Sequence, residues 1–147
     1  MLELVPLYTA KYELGETHLI GPNKPQGRTV GEVRSAVFTG ERLNATLAGV
    51  AAADWMLRTG DVGDIDVRLT MRTDDGALIY VTYGGRISFD DPAGMFAMVA
   101  PRFETGDERY VWLNRIQAVG MGQLLIDASG ARLEYEVYEV QRVASSS

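Results

Sequence analysis

A carboxylate beside an indole in an apolar stretch is a candidate acid or base, and Asp54 next to Trp55 follows Ala51-Ala52-Ala53. Removal from water disfavours the charged carboxylate, raises its pKa and makes it a usable proton donor or acceptor. The same residue also fits the N-cap of a short helix beginning near Trp55. Arg68 and Arg72 have one parity in an alternating segment. A guanidinium fork binds a carboxylate or enolate oxygen, and either arginine equally fits a cross-strand pair with Asp66 or Glu134. Tyr80 and Tyr83 have opposite parity, so at most one lines a given interior unless a bulge intervenes. A buried tyrosine hydroxyl donates to a developing oxyanion, or fills a core with its tip hydrogen-bonded. Trp112 and Asn114 share a parity within WLNR. A buried amide needs partners, so an asparagine on an aromatic face marks a polar spot. The catalytic candidates are therefore Asp54, Arg68, Tyr80 and Asn114. Trp55, Arg72, Tyr83 and Trp112 are the candidates for holding a ligand. Asp74 and Asp75 read as turn residues, because neighbours on a strand point to opposite faces and make a poor catalytic pair.

Strands must position these residues. Residues 64–73 alternate strictly, with Ile65, Val67, Leu69 and Met71 on one face and Asp64, Asp66, Arg68, Thr70 and Arg72 on the other. Asp74-Asp75-Gly76 then turns the chain into a return strand over 77–83, the pattern of a β-hairpin. The polar face either meets solvent or points into a cavity. Residues 2–14 read as a first strand interrupted at Pro6, which implies an edge or a bulge. Residues 15–28 and 57–63 read as loops, the first with a short strand near 18–20. Residues 29–47 read as two strands broken at Thr39-Gly40. Residues 48–53 fit a loop or a short helix, and 95–100 a strand or a helical turn. A strand is expected over 109–119, and a closing hairpin around Ser129-Gly130 over 123–141. Eight to ten short strands with at most one or two helical turns give an all-β fold, a single antiparallel β-barrel. One domain is expected over 1–147, with its core in 1–141 and a frayed tail over 142–147.

Composition narrows the chemistry. The chain has 147 residues and a net charge of -6, with its 14 basic residues scattered, so the electrostatic footprint of nucleic-acid binding is missing. It contains no cysteine, which removes thiolate nucleophiles and cysteine-ligated metals. The single histidine, His18, cannot build a histidine-rich metal site and reads as a base or as a loop or strand-end residue. No metal and no cofactor are expected, and no glycine-rich phosphate loop or Gly-x-Ser-x-Gly elbow occurs. Residues 1–16 lack a cationic start followed by an apolar run, and no window approaches the ~18 apolar residues of a membrane span. A cytoplasmic protein without membrane or nucleic-acid partners is the resulting expectation.

The segment IDVRLTMRTDDGALIYVTYGG, then PRFETGDERYVWLNRIQAVGMG and YEVYEV, resembles the UPF0311 group, whose shared domain is DUF3237. The upstream GRTVGEV, the Asp54-Trp55 pair and Arg58 extend the resemblance over residues 2–140. The resemblance implies a compact antiparallel barrel that self-associates, with a dimer as the expected assembly, and a family of unknown function. This chain departs from it at residues 48–53, AGVAAA, where the family carries a run of glycines; the change implies a different substrate or a different role for that loop. Two readings follow. The first is a cofactor-independent isomerase, cyclase or lyase acting on a small oxygenated organic molecule, with Asp54 as acid or base and Arg68, Tyr80 and Asn114 steadying an enolate-like charge. The second is a non-catalytic barrel that binds a hydrophobic metabolite.

Overall fold

In the computed structural model, which describes residues 1–23 and 26–144, the alternating segments become ten strands among the described residues. They are β1 (Leu2–Asn23), β2 (Gln26–Thr39), β3 (Ala45–Leu47), β4 (Ala53–Thr59), β5 (Val62–Thr73), β6 (Leu78–Ser88), β7 (Met95–Val99), β8 (Arg102–Glu104), β9 (Gln117–Asp127) and β10 (Gly130–Arg142). A 3₁₀ helix spans Val111–Arg115. Hydrogen-bonded neighbours run β5-β4-β2-β1-β10-β9-β7-β6, and β6 pairs back onto β5. Eight antiparallel strands thus close into a ring, and among the described residues the long edge it leaves is the β1 arm beyond Glu13, which pairs on one side only. The short β3 bridges β2 and β5, and β8 pairs with β6.

The hairpin β5–β6 forms as its alternation requires. Leu69, Met71, Ile79 and Val81 are fully buried, while Arg68, Arg72 and Tyr80 are exposed on the outer face. Its turn is held by the Thr73 N–H donating to the Ala77 carbonyl (2.9 Å) and by Thr73 Oγ1 donating to Asp75 Oδ1 (2.6 Å). Pro6 sits at a bulge, where the pairing slips between Pro6 and Tyr8. One extra residue exchanges the two faces of a strand. Leu2 and Leu4 are therefore exposed although they share the parity of Tyr8, Ala10 and Tyr12, which are buried.

Three sequence-based expectations are corrected. Residues 15–28 are not a loop: β1 continues to Asn23 and pairs with β2 as far as Asn23↔Gln26. Beyond Glu13 this arm has lost β10 and is held by β2 alone, so residues 16–20 are exposed, while Leu14 and one side of Thr17 still border the barrel interior. Lys24-Pro25 lies outside the described residues. Residues 57–63 are mostly strand, because Gly60, at φ 62°, lets β4 reverse into β5 in two residues. Residues 109–119 do not form one strand. The buried Leu113 plugs the barrel from a 3₁₀ turn, whose period of three voids the shared face inferred for Trp112 and Asn114. Residues 48–52 form a loop and 95–99 a strand. The tail expected over 142–147 is still in β10 at Arg142, the Val143 N–H donates to the Met1 carbonyl (2.9 Å), and residues 145–147 lie outside the described residues.

The interior is packed at one end and hollow at the other. At the packed end Tyr8 stands edge-on to Phe38 and Phe103, with ring centroids 5.4 and 6.2 Å away, and Leu43 and Leu113 are fully buried. Edge-to-face aromatic packing fills a narrow barrel efficiently. Arg42 closes this end, stacked 4.4 Å from the Trp112 ring centroid and bonded to the buried Glu139 at 3.0 Å.

Candidate active site

Following the inward positions of each strand toward the other end leads from filled core to open space. Leu14 and Thr17 on β1, Thr29, Gly31 and Val33 on β2, Met56 on β4, Ile65 and Val67 on β5, Ile87 on β6 and Leu133 on β10 surround a cavity of about 170 Å³. That is close to the ~150 Å³ engineered cavity that admits benzene. The walls are mainly apolar, as in most ligand pockets. The polar groups among the lining residues are Asp54, Thr17, Thr29 and three tyrosines, Tyr12, Tyr83 and Tyr135.

Asp54 is in mid-strand β4, half-buried, with its carboxyl on the cavity side. No helix starts there, so the capping role falls away. Burial pushes its pKa from 3.8 up to about 6, although the Asp66 N–H, donating to Asp54 Oδ1 at 2.9 Å, partly offsets the rise. The neighbouring Asp66 charge pushes the same way as burial. A carboxyl poised near neutrality, anchored through one oxygen, is suited to hand a proton over and take it back.

The tyrosines form the inner floor. Tyr83 Oη lies 3.3 Å from Tyr12 Oη and 3.2 Å from Tyr135 Oη. Their rings pack Tyr12–Tyr135 at 5.2 Å and Tyr83–Tyr135 at 5.7 Å between centroids. Burial drives all three hydroxyls well above the ordinary tyrosine range, and for Tyr135 the charge of Asp54 adds to it. All three therefore stay protonated.

Of the residues singled out from sequence, the fold brings Asp54 and Tyr83 together in the cavity. Trp55 and Arg68 meet each other instead on the outer wall, with the guanidinium 4.4 Å from the indole centroid. That contact takes the place of the expected pairing with Asp66 or Glu134. Arg72 and Tyr80 also face outward, Tyr80 opposite Glu104 of β8. Asn114 is a clamp: its Oδ1 accepts from the Thr105 N–H (2.9 Å) and its Nδ2 donates to the Thr105 carbonyl (2.8 Å). Trp112 lies under Arg42 at the packed end. No arginine, lysine or histidine is among the described lining residues, so an enolate steadied by Arg68, Tyr80 and Asn114 has no geometric support.

Tyr12 and Tyr135 were missed as site residues. Each shows the parity of its strand's buried face, but only the ring closure places them against Tyr83. His18 stands on the outer face of β1, its Nε2 3.1 Å from Glu32 Oε2 and 3.7 Å from Glu16 Oε2. The ligand atoms of these three exposed residues lie within 4.8 Å of one another, and a cross-strand polar contact accounts for them.

The fold has recognisable relatives. The family model described as protein of unknown function, DUF3237, matches residues 2–140. A UPF0311 protein of Rhodopseudomonas palustris is 24% identical over 156 residues, covering 97% of each chain. The hydroalkoxylation enzyme phnH of Penicillium herquei is 25% identical over 114 residues, covering 78% of this chain and 70% of that one. The crystal structure of a beta-barrel like protein from Acinetobacter baumannii superposes with a TM-score of 0.79 at 25% identity, covering 96% of this chain and 97% of that one.

Proposed function

We propose that this chain, which belongs to the DUF3237 family, is a cofactor-independent acid–base enzyme that adds an O–H group across a carbon–carbon double bond within one small neutral molecule. The observation that carries this reading is the half-buried Asp54 carboxyl facing an apolar cavity, its pKa held up to about 6. The relation to a hydroalkoxylation enzyme supplies the reaction type.

The chemistry needs one proton shuttled between two atoms. Protonated Asp54 gives its proton to one alkene carbon, and the other carbon becomes electron-poor. The substrate's hydroxyl oxygen attacks that carbon and forms the C–O bond. Its O–H proton returns to the Asp54 carboxylate. No atom is gained or lost, so the product is an isomer of the substrate and the enzyme ends as it began. An apolar wall excludes the water that would compete for the electron-poor carbon. Run backwards, the same steps open the ether ring by elimination, with the Asp54 carboxylate taking the proton from carbon and its acid form protonating the departing oxygen.

The test uses a phenol with an ortho alkenyl chain whose double bond is trisubstituted, since protonation then forms the more stable tertiary centre. In D₂O the protein should yield a cyclic ether with one deuterium on carbon, and Asp54→Asn should lower the rate by ~10²–10⁴-fold. Cyclisation that survives Asp54→Asn would remove the acid–base assignment. The apolar lining also favours a second reading, a barrel that only binds a hydrophobic metabolite. That reading predicts uptake of the probe with no ether formed by either protein.

A further inference from the structure

Three hydroxyls carry three hydrogens, but the row Tyr12···Tyr83···Tyr135 contains two contacts. Each contact consumes one hydrogen, whichever way the row is oriented. One O–H therefore remains undonated among the described contacts, on a group buried in the cavity floor. Leaving a buried donor unmade is costly, so a ligand acceptor placed there is favoured over an apolar group of the same shape. All three rings are 5% exposed or less, so the donor is pre-positioned and loses little freedom on binding.

We infer that the three-tyrosine floor is an oxygen-binding subsite that takes the carbonyl or phenolic oxygen of a neutral ring-sized ligand and turns the rest of the ligand toward Asp54. This rests on the reading of the cavity as the substrate site, and it deepens that reading by naming the substrate class. Neutrality follows from the lining: Asp54 is its one ionisable carboxyl among the described residues, and no cation offsets it. A carboxylate ligand would lose hydration and gain repulsion. A ketone or phenol oxygen accepts the spare hydrogen with no charge to desolvate. The subsite also gives direction, since an oxygen at the floor fixes which end of the ligand approaches β4. Ordering of this kind is where positioning contributes to rate.

The test compares two molecules of nearly the same shape, acetophenone and α-methylstyrene, in which C=O is exchanged for C=CH₂. Binding is measured by calorimetry at pH 8, where Asp54 is ionised and cannot itself donate to the ketone. The wild-type protein should prefer acetophenone by ~3–10-fold, the worth of one neutral hydrogen bond. The triple variant Tyr12→Phe/Tyr83→Phe/Tyr135→Phe keeps the rings and should abolish or reverse that preference, because the carbonyl is then buried without a donor while α-methylstyrene is held as well as before. Benzoate should bind far more weakly than acetophenone. A second measurement needs no variant: the infrared C=O stretch of bound acetophenone should fall below its value in an apolar solvent. An unchanged ratio in the triple variant, an unshifted C=O stretch or tight benzoate binding would each overturn the subsite. The acid–base reading is judged separately by ether formation, so acetophenone held at the floor without turnover of the alkenyl phenol would sink that reading alone.

Discussion

In the proposed reaction, Asp54 ties activity and stability to a single carboxyl. Its carboxyl is paired with a backbone N–H and faces an apolar cavity, so the folded state holds its proton more tightly than the unfolded chain. Donation to an alkene requires the protonated form. The rate should therefore fall about tenfold per pH unit above about pH 6, and a pH–rate profile that is flat from 6 to 8 would contradict the assignment. The same shift enters folding with a definite sign. A raised carboxyl pKa destabilises the folded state above about pH 6, and the penalty fades as pH falls toward the unfolded value of 3.8. Asp54→Asn keeps an acceptor for the Asp66 N–H and has no charge to bury. The variant should gain on the order of 2–3 kcal/mol at pH 8 by urea unfolding, with the gain shrinking toward pH 4. A variant that is both more stable and inactive marks a site held at the expense of stability. Asn114 is the contrast, because its two bonds hold backbone and touch no cavity atom. Asn114→Ala should cost about 1–3 kcal/mol of stability and leave acetophenone affinity unchanged.

At the scale of the element, the GMG run in β9 resembles no phosphate loop, and its role is spatial. The inward positions of β9 at Gly120 and Gly122 lie under β10, where a Cβ on Gly122 would overlap the Tyr135 ring. The absent side chain is what lets Tyr135 lie across its neighbouring strand and reach Tyr83. Gly122→Ala should push Tyr135 out of the row, destabilise the barrel by about 1–3 kcal/mol and remove the preference for acetophenone over α-methylstyrene. Retention of both stability and preference would show that Tyr135 has room to spare. The hairpin β5–β6 was legible because its alternation and its Asp-Gly turn agree. The strand expected over 109–119 was not, because Leu113 enters the core from a 3₁₀ turn and tertiary packing overrides a local period.

Across the whole molecule, one ring of strands joins a packed half to a hollow half. Every strand of the ring is paired on both sides, so loss of one exposes two others, and unfolding of the ring is expected as one cooperative transition with coincident near- and far-ultraviolet signals. The arm of β1 beyond Glu13 is the exception, since it keeps β2 and has lost β10. Amide exchange at residues 16–20 should outpace exchange at residues 8–12 by orders of magnitude under native conditions. Equal protection would mean that the arm unfolds only with the ring. What the residues determined alone is the all-β class, the inward and outward faces between bulges, the turns at Gly76 and Gly130, and the choice of Asp54 as the carboxyl to watch. Those properties depend on neighbours in the chain, through parity, turn chemistry and the company of apolar residues. The tertiary structure decided which inward faces meet. It closed β6 onto β5, placed Tyr12, Tyr83 and Tyr135 from three distant strands within hydrogen-bonding reach, and turned Trp55, Arg68 and Tyr80 to the outside. Local pattern states that a residue points inward, but strand order and bulges, which arise from pairing across the whole ring, determine what it points at.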